Sequence, residues 1–103
     1  MTVYAMALLN ITDRDAYRAY EQGFMAAFTP HGGRILAVDE SPTVKEGQWP
    51  HTRTVLIAFD TAETFDAWYN SDAYQALAPH RWAASTGALV VVKGLASPPS
   101  PGE

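Results

Sequence analysis

The chain has 103 residues, of which 48% are hydrophobic and 17% charged, with no cysteine and a formal net charge of −4 at pH 7. This composition suits one hydrophobic core without disulfides or thiolate metal sites, and it excludes a disordered chain. The acidic balance and scattered basic residues argue against nucleic-acid and anionic-membrane partners. The absence of a long apolar run argues against a membrane span. The first residues lack the basic start of a secretory signal and a chain without cysteine fits a reducing compartment, so we expect a cytoplasmic protein.

The first half of the chain predicts a strand, a helix and a second strand. Residues 3–11 are apolar on both faces of a strand, and Thr12 or Asp13 can cap a helix whose apolar side chains recur at helical spacing. Pro30 and Gly32 end that helix. Residues 34–40 alternate like an edge strand, and residues 43–49 are interpreted as its extension.

The second half repeats this pattern. Residues 54–59 predict a strand, and Asp60 or Thr61 caps the next helix, with Glu63 at capping-box spacing from Asp60. Ser71 is a fresh N-cap, so the helical segment breaks and restarts before Pro79, with a short turn region beyond the proline. Gly87 then leads into a strand over residues 88–93. We expect residues 1–95 to form a single domain and the Pro/Ser-rich residues 96–103 to be a disordered tail.

The order of elements, βαββαβ, predicts an α+β, ferredoxin-like antiparallel sheet with both helices on one face. The opposite face then exposes apolar side chains such as Tyr4, Met6 and Leu8. Monomeric proteins avoid such large apolar surfaces. A second copy is the simplest cover, so we expect a homodimer that pairs through its sheet faces as a dimeric α/β barrel.

Several motifs resemble one known family. They are Asp13-x-x-x-Tyr17-x-x-Tyr20, the stretches HGGRIL, EGQW and RTVLIAF, the stretch AWYNS followed by Tyr74 and QAL, and then Arg81. Over residues 2–95 the chain is similar to the domain of unknown function 1330 family. The resemblance implies the dimeric α/β-barrel superfamily, which includes cofactor-independent monooxygenases, lactone isomerases and haem-dependent enzymes. His80 departs from the family pattern, which has an aliphatic residue there.

The polar residues do not predict a metal or a bound cofactor. His31, His51 and His80 are 20 and 29 residues apart, so no two of them share one element at ligand spacing. There is no glycine-rich phosphate loop and no Gly-x-Ser-x-Gly nucleophile motif. His80, next to Arg81, is the histidine that we consider for proton transfer.

Aromatic residues and arginines supply the remaining site candidates. Trp68, Tyr69 and Tyr74 are typical of a core at helical spacing, and Arg34 or Arg81 could pair with Asp39, Asp66 or Asp72. The alternative is a half-apolar cavity between sheet and helices, with an arginine at its mouth for an anion. In that interpretation Trp68, Tyr69 and Arg34 bind a ligand, while Arg81, Tyr74 and His80 are the catalytic candidates.

These observations predict a small dimeric protein that binds a small, anionic and partly aromatic organic molecule. It could be a cofactor-independent enzyme that moves a proton or adds oxygen to a phenol-like substrate. In that case Arg81 or Arg34 would stabilise the anion, and Tyr74 or His80 would transfer the proton. The alternative is a non-catalytic ligand-binding or interaction module in which the aromatic residues are core.

Overall fold

The computed structural model describes residues 1–95, and the predicted disordered tail, residues 96–103, lies outside this range. A short 3-10 turn follows the first helix. The strands and helices, in chain order, are β1 Val3–Ile11, α1 Arg14–Phe28, β2 Arg34–Asp39, β3 Arg53–Phe59, α2 Ala62–Tyr69, α3 Asp72–Ala84 and β4 Ser85–Lys93.

The four strands form one antiparallel sheet in the order β2-β3-β1-β4. β1 is therefore central, with Met6 opposite Leu56 on one side and Val90 on the other. β2 lies at an edge, as its acidic end predicts. The ferredoxin-like α+β fold is confirmed, with two consecutive helices, α2 and α3, where the sequence predicts one interrupted helix.

Side-chain caps explain where the helices begin. The Asp13 side chain accepts from the N–H of Ala16, and the Ser71 hydroxyl accepts from the N–H of Tyr74, both as predicted. The capping box of α2 is a correction, because it joins Thr61 and Thr64 rather than Asp60 and Glu63. The carboxylate of Asp60 instead accepts a hydrogen bond from Arg34 at 2.8 Å, which takes it away from the helix terminus.

The predicted break before Ser71 separates α2 from α3, but the turn region predicted beyond Pro79 is wrong, because α3 continues through the proline to Ala84. Tyr74, Ala78 and Arg81 follow one another at helical spacing, and all three are buried. Burial of this stripe against the rest of the molecule holds the helix on both sides of Pro79, although proline cannot donate its backbone hydrogen bond. Arg81 therefore lies on a helix rather than in a turn.

Two predicted strand boundaries also differ from the structure. Residues 43–49 form no strand, because Gly47 bends the chain at a φ of 77° and Pro50 cannot donate to a ladder. β4 begins at Ser85, so Gly87 lies inside it, opposite Leu9. Gly87 has a φ of 139°, and a Cβ atom there would clash with the carbonyl oxygen of Leu8. Gly87 therefore permits a close approach of two strands rather than a strand entrance.

The core lies between the sheet and the helices. Strand alternation directs Val3, Ala5 and Leu9 toward the helices, where all three are buried. In β4, Leu89 and Val91 share that side, while Val90 lies on the opposite face beside Met6. The opposite face, which carries Tyr4, Met6 and Leu8, is called the outer face below.

In the part of the chain that the structure describes, every helix is too short or too polar to span a membrane.

Candidate ligand cavity between sheet and helices

A partly enclosed cavity of about 180 Å³ lies between the inner face of the sheet and helices α1 and α3. Its floor includes Ala5 and Ala7 of the central strand. These short side chains leave space that larger residues in the same strand would fill. The remaining apolar wall comes mainly from Leu9, Phe24, Val55 and Ile57.

Arg81 is the buried cation of this cavity. Its side chain comes from α3, the residue is 8% exposed, and its guanidinium carbon lies 6.0 Å from the ring centroid of Tyr20. Burial opposes the charge, yet the pKa of Arg81 lies above its ordinary value because Tyr74 and Tyr20 face it. Within residues 1–95 its nitrogens have no carboxylate oxygen within 4.0 Å. Arg81 is thus a charged group without an opposite charge.

Tyr20 of α1 and Tyr74 of α3 meet beside this arginine. Their hydroxyl oxygens are 2.8 Å apart in a buried hydrogen bond. Burial is the main cause that raises the pKa of Tyr20, and the proximity of Tyr74 raises it further. Near neutral pH the phenol of Tyr20 is therefore neutral. One hydroxyl donates to the other, and the accepting tyrosine keeps its own hydrogen for a further acceptor.

Trp68 of α2 contributes a buried ring to the wall of the cavity. It is 1% exposed, and its ring centroid lies 4.2 Å from that of Tyr74. Its buried indole N–H has no hydrogen-bond acceptor among the described residues. A buried donor without an acceptor is unusual, since most buried polar groups are paired.

A second arginine, Arg53 of β3, lines the cavity beside Glu21 of α1. Their charged atoms are 3.5 Å apart, and Glu40 is 4.0 Å from the same guanidinium. Arg53 also lies 5.4 Å from the ring centroid of Tyr17, whose pKa is raised by burial and lowered in part by this arginine. Glu21 is the carboxylate that lines the cavity, and it is already paired.

Three of the six site candidates line the same cavity: Trp68, Tyr74 and Arg81. The other three lie elsewhere. Arg34 pairs with Asp60 at the surface, with 2.8 Å between charged atoms, and His80 is exposed on α3. Tyr69 is half-buried and stacks on Phe65, with ring centroids 5.9 Å apart.

The sequence analysis missed Arg53, Glu21, Tyr17 and Tyr20 as cavity residues. The position of Arg53 was predictable from strand alternation, because residues 53, 55 and 57 of a strand lie on the same face and Val55 and Ile57 face the helices. The two tyrosines share a helical stripe with core residues, so spacing could not separate core from cavity wall.

The other histidines do not join this site. His51 packs against Trp49, with ring centroids 5.1 Å apart, and His31 lies in the 3-10 turn after α1. Within residues 1–95 there is no group of three or more histidine, aspartate or glutamate side chains that could hold a metal ion.

The fold and the cavity together define a ferredoxin-like α+β protein with a largely apolar, arginine-containing pocket under its helices. The chain belongs to the family described as domain of unknown function DUF1330, whose model matches residues 2–95. The motif-based resemblance is thereby confirmed. No relative was found among curated proteins.

Solved structures support the same fold. RPA0582 of Rhodopseudomonas palustris, a protein of unknown function, is 17% identical with a TM-score of 0.78, over 93% of this chain and 84% of that one. SnoaB of Streptomyces nogalater, a cofactor-independent oxygenase, is 10% identical with a TM-score of 0.67, over 96% and 98%. A dimeric ferredoxin-like protein of unknown function from Jannaschia sp. CCS1 is 18% identical with a TM-score of 0.60, over 89% and 96%. At these identities the likeness concerns the fold alone.

Proposed function

We propose that the protein binds a small organic anion in the cavity, with Arg81 as the group that holds the negative charge. The observation that carries this proposal is that Arg81 is 8% exposed and that its guanidinium has no carboxylate within 4.0 Å among the described residues. Arginine is rarely buried without an anion, because removing a charge from water is costly. A ligand oxyanion would supply the missing partner.

Charge-assisted hydrogen bonds explain why an anion is favoured over a neutral ligand. Such a bond contributes about 1.5 to 3 kcal/mol, more than a neutral one. The half-apolar wall would hold the rest of the ligand by burial of its carbon surface. The alternative of a non-catalytic module with a purely structural aromatic core leaves the unpaired Arg81 and the cavity unexplained.

A cofactor-independent reaction is the second candidate function. Its support is that the same donors that hold an anion also stabilise an enolate or phenolate formed during a reaction. We assign any proton transfer to Tyr74 rather than His80, since His80 is exposed and outside the cavity. Because Glu21 is paired with Arg53, the site favours substrates acidic enough to ionise without a strong base.

Self-association is the third part of the proposal. A second copy would cover the apolar outer face, and structures with this fold from Jannaschia sp. CCS1 and Bacteroides fragilis are described as dimeric. Pairing through the sheet leaves the helices on the outside and the cavity between helices and sheet unobstructed.

Thermal-shift measurements with benzoate and hexanoate, two small organic acids, test the binding function. At least one acid should raise the melting temperature of the wild type, because a ligand that binds only the native state stabilises it. Arg81→Met keeps the length of the side chain and should weaken binding at least tenfold, since it removes a charge-assisted hydrogen bond.

Arg34→Met is the matched control, because Arg34 pairs with Asp60 outside the cavity and should leave acid binding unchanged. If neither acid binds the wild type, or if binding is the same in Arg81→Met, the proposed function is wrong.

A further inference from the structure

We infer that the ligand is a planar, conjugated oxyanion of about one ring, which presents one oxygen to Arg81 and a second oxygen to the indole N–H of Trp68. This inference rests on the proposed function and specifies the chemical class of the ligand. Ligands of this class include aromatic carboxylates and cyclic enolates that carry a neighbouring carbonyl.

The first support is the unsatisfied indole. Trp68 lines the cavity, and its buried N–H lacks an acceptor in the described part of the chain. The other two tryptophans differ. Trp49 donates to the Thr54 hydroxyl at 3.0 Å, and Trp82 is 53% exposed. Trp68 is therefore the tryptophan that both lines the cavity and has an unpaired buried donor.

The second support is the character of the polar groups that line the cavity. Arg81 and Trp68 can only donate, and the hydrogen-bonded pair of Tyr20 and Tyr74 has one hydroxyl hydrogen left over. Apart from these two hydroxyl oxygens and that of Tyr17, the acceptor among the polar lining side chains is the carboxylate of Glu21, which faces Arg53. The polar end of a ligand must therefore bring acceptors, and an ammonium group, which can only donate, would meet donors.

The third support is shape and size. A cavity of about 180 Å³ slightly exceeds the roughly 150 Å³ apolar cavities that hold a single benzene ring. Its walls include the rings of Tyr20, Phe24 and Trp68, and aromatic faces and edges favour a flat partner. A flat ring with one two-oxygen substituent suits the volume and the walls, and it brings one acceptor for each donor.

Indole resonances in a ¹⁵N–¹H spectrum test the second contact directly. The protein has three tryptophans, so Trp49→Phe and Trp82→Phe assign two of the three signals and the remaining one belongs to Trp68. On addition of benzoate, the indole proton of Trp68 should move downfield as it gains an acceptor, while those of Trp49 and Trp82 should stay in place. This readout uses the wild-type protein and does not depend on whether Trp68→Phe folds.

Affinities for two probes test the geometry. Trp68→Phe keeps an aromatic ring but loses the donor, and it should weaken benzoate binding at least tenfold. Pentafluorophenolate carries one oxygen, so the same variant should weaken its binding much less. Trp49→Phe is the control, because its donor is used outside the cavity, and it should change neither affinity.

The outcomes separate this inference from the proposed function. If hexanoate binds in an Arg81-dependent manner while benzoate does not bind, or if benzoate binds without moving the Trp68 indole signal, the two-oxygen contact is wrong and anion binding stands. Equal losses for benzoate and pentafluorophenolate in Trp68→Phe would also overturn it. If no acid shows Arg81-dependent binding, both ideas fail.

Discussion

At the scale of single residues, the cavity is defined by polar groups that the protein does not satisfy by itself. The hydroxyls of Tyr20 and Tyr74 satisfy each other, whereas the guanidinium of Arg81 has no carboxylate within 4.0 Å and the indole N–H of Trp68 has no acceptor among the described residues. Since unsatisfied buried donors reduce stability, we expect them at a binding site rather than in a structural core.

The raised pKa of Tyr20 predicts a loss of stability at high pH. The unfolded chain gives up the phenol proton near pH 10, whereas the native state keeps it because burial disfavours the phenolate. The free energy of unfolding should therefore be constant below about pH 9 and fall above pH 10, by at most about 1.4 kcal/mol per pH unit for this group. Urea unfolding from pH 8 to pH 11 measures this dependence.

Tyr20→Phe should make the alkaline fall shallower, and Tyr4→Phe, on the outer face, should retain the wild-type slope. The fall should not vanish in Tyr20→Phe, because burial also raises the pKa of Tyr17. A wild-type slope in Tyr20→Phe would show that Tyr20 does not control the alkaline transition.

At the scale of elements, β4 depends on a glycine inside the strand. Gly87→Ala should lower the free energy of unfolding by about 3 kcal/mol or more, because the residue has a φ of 139° and its new methyl group would meet the Leu8 carbonyl. Gly32→Ala is the matched control, since Gly32 has a φ of 75° with nothing within 4 Å, and it should cost only about 1 kcal/mol. Urea denaturation of both variants compares them, and equal losses would contradict the close approach of β1 and β4.

At the scale of the whole molecule, the outer face should be the interface between two copies. Val90 and Val91 are adjacent in β4 and similarly exposed, at 42% and 41%, but they lie on opposite faces. Val90→Asp would bury an unpaired charge in the interface, at a cost of several kcal/mol, and should give a monomer in sedimentation equilibrium. Val91→Asp should remain dimeric. A monomeric wild type at micromolar concentration, or the same state in both variants, would contradict this interface.

Local sequence signals predicted the elements that depend on neighbouring residues. The range of β1 and the caps at Asp13 and Ser71 agree with the structure, because alternation and capping act within a few residues. The helix through Pro79 and the strand through Gly87 were not predictable in this way. In both places, packing against distant parts of the chain overrides the local preference of proline or glycine.

The cavity was predictable in part for the same reason. Trp68, Tyr74 and Arg81 are close along the chain, so their meeting could be expected, whereas Arg53 and Tyr20 reach the site from other elements. Arg34 and His80 carry suitable chemistry, but the orientation of their elements places them at the surface. The residue type alone does not show on which side of a helix or strand a group will lie.

The sequence by itself determined the family, the order of strands and helices, and the antiparallel ferredoxin-like sheet, because hydrophobic periodicity and family motifs are written along the chain. The tertiary structure alone decided that Ala5 and Ala7 leave a cavity and that Arg81 enters it without a carboxylate. The physical reason is that volume, burial and charge pairing depend on contacts between distant segments. Those contacts exist only after the helices have packed on the sheet.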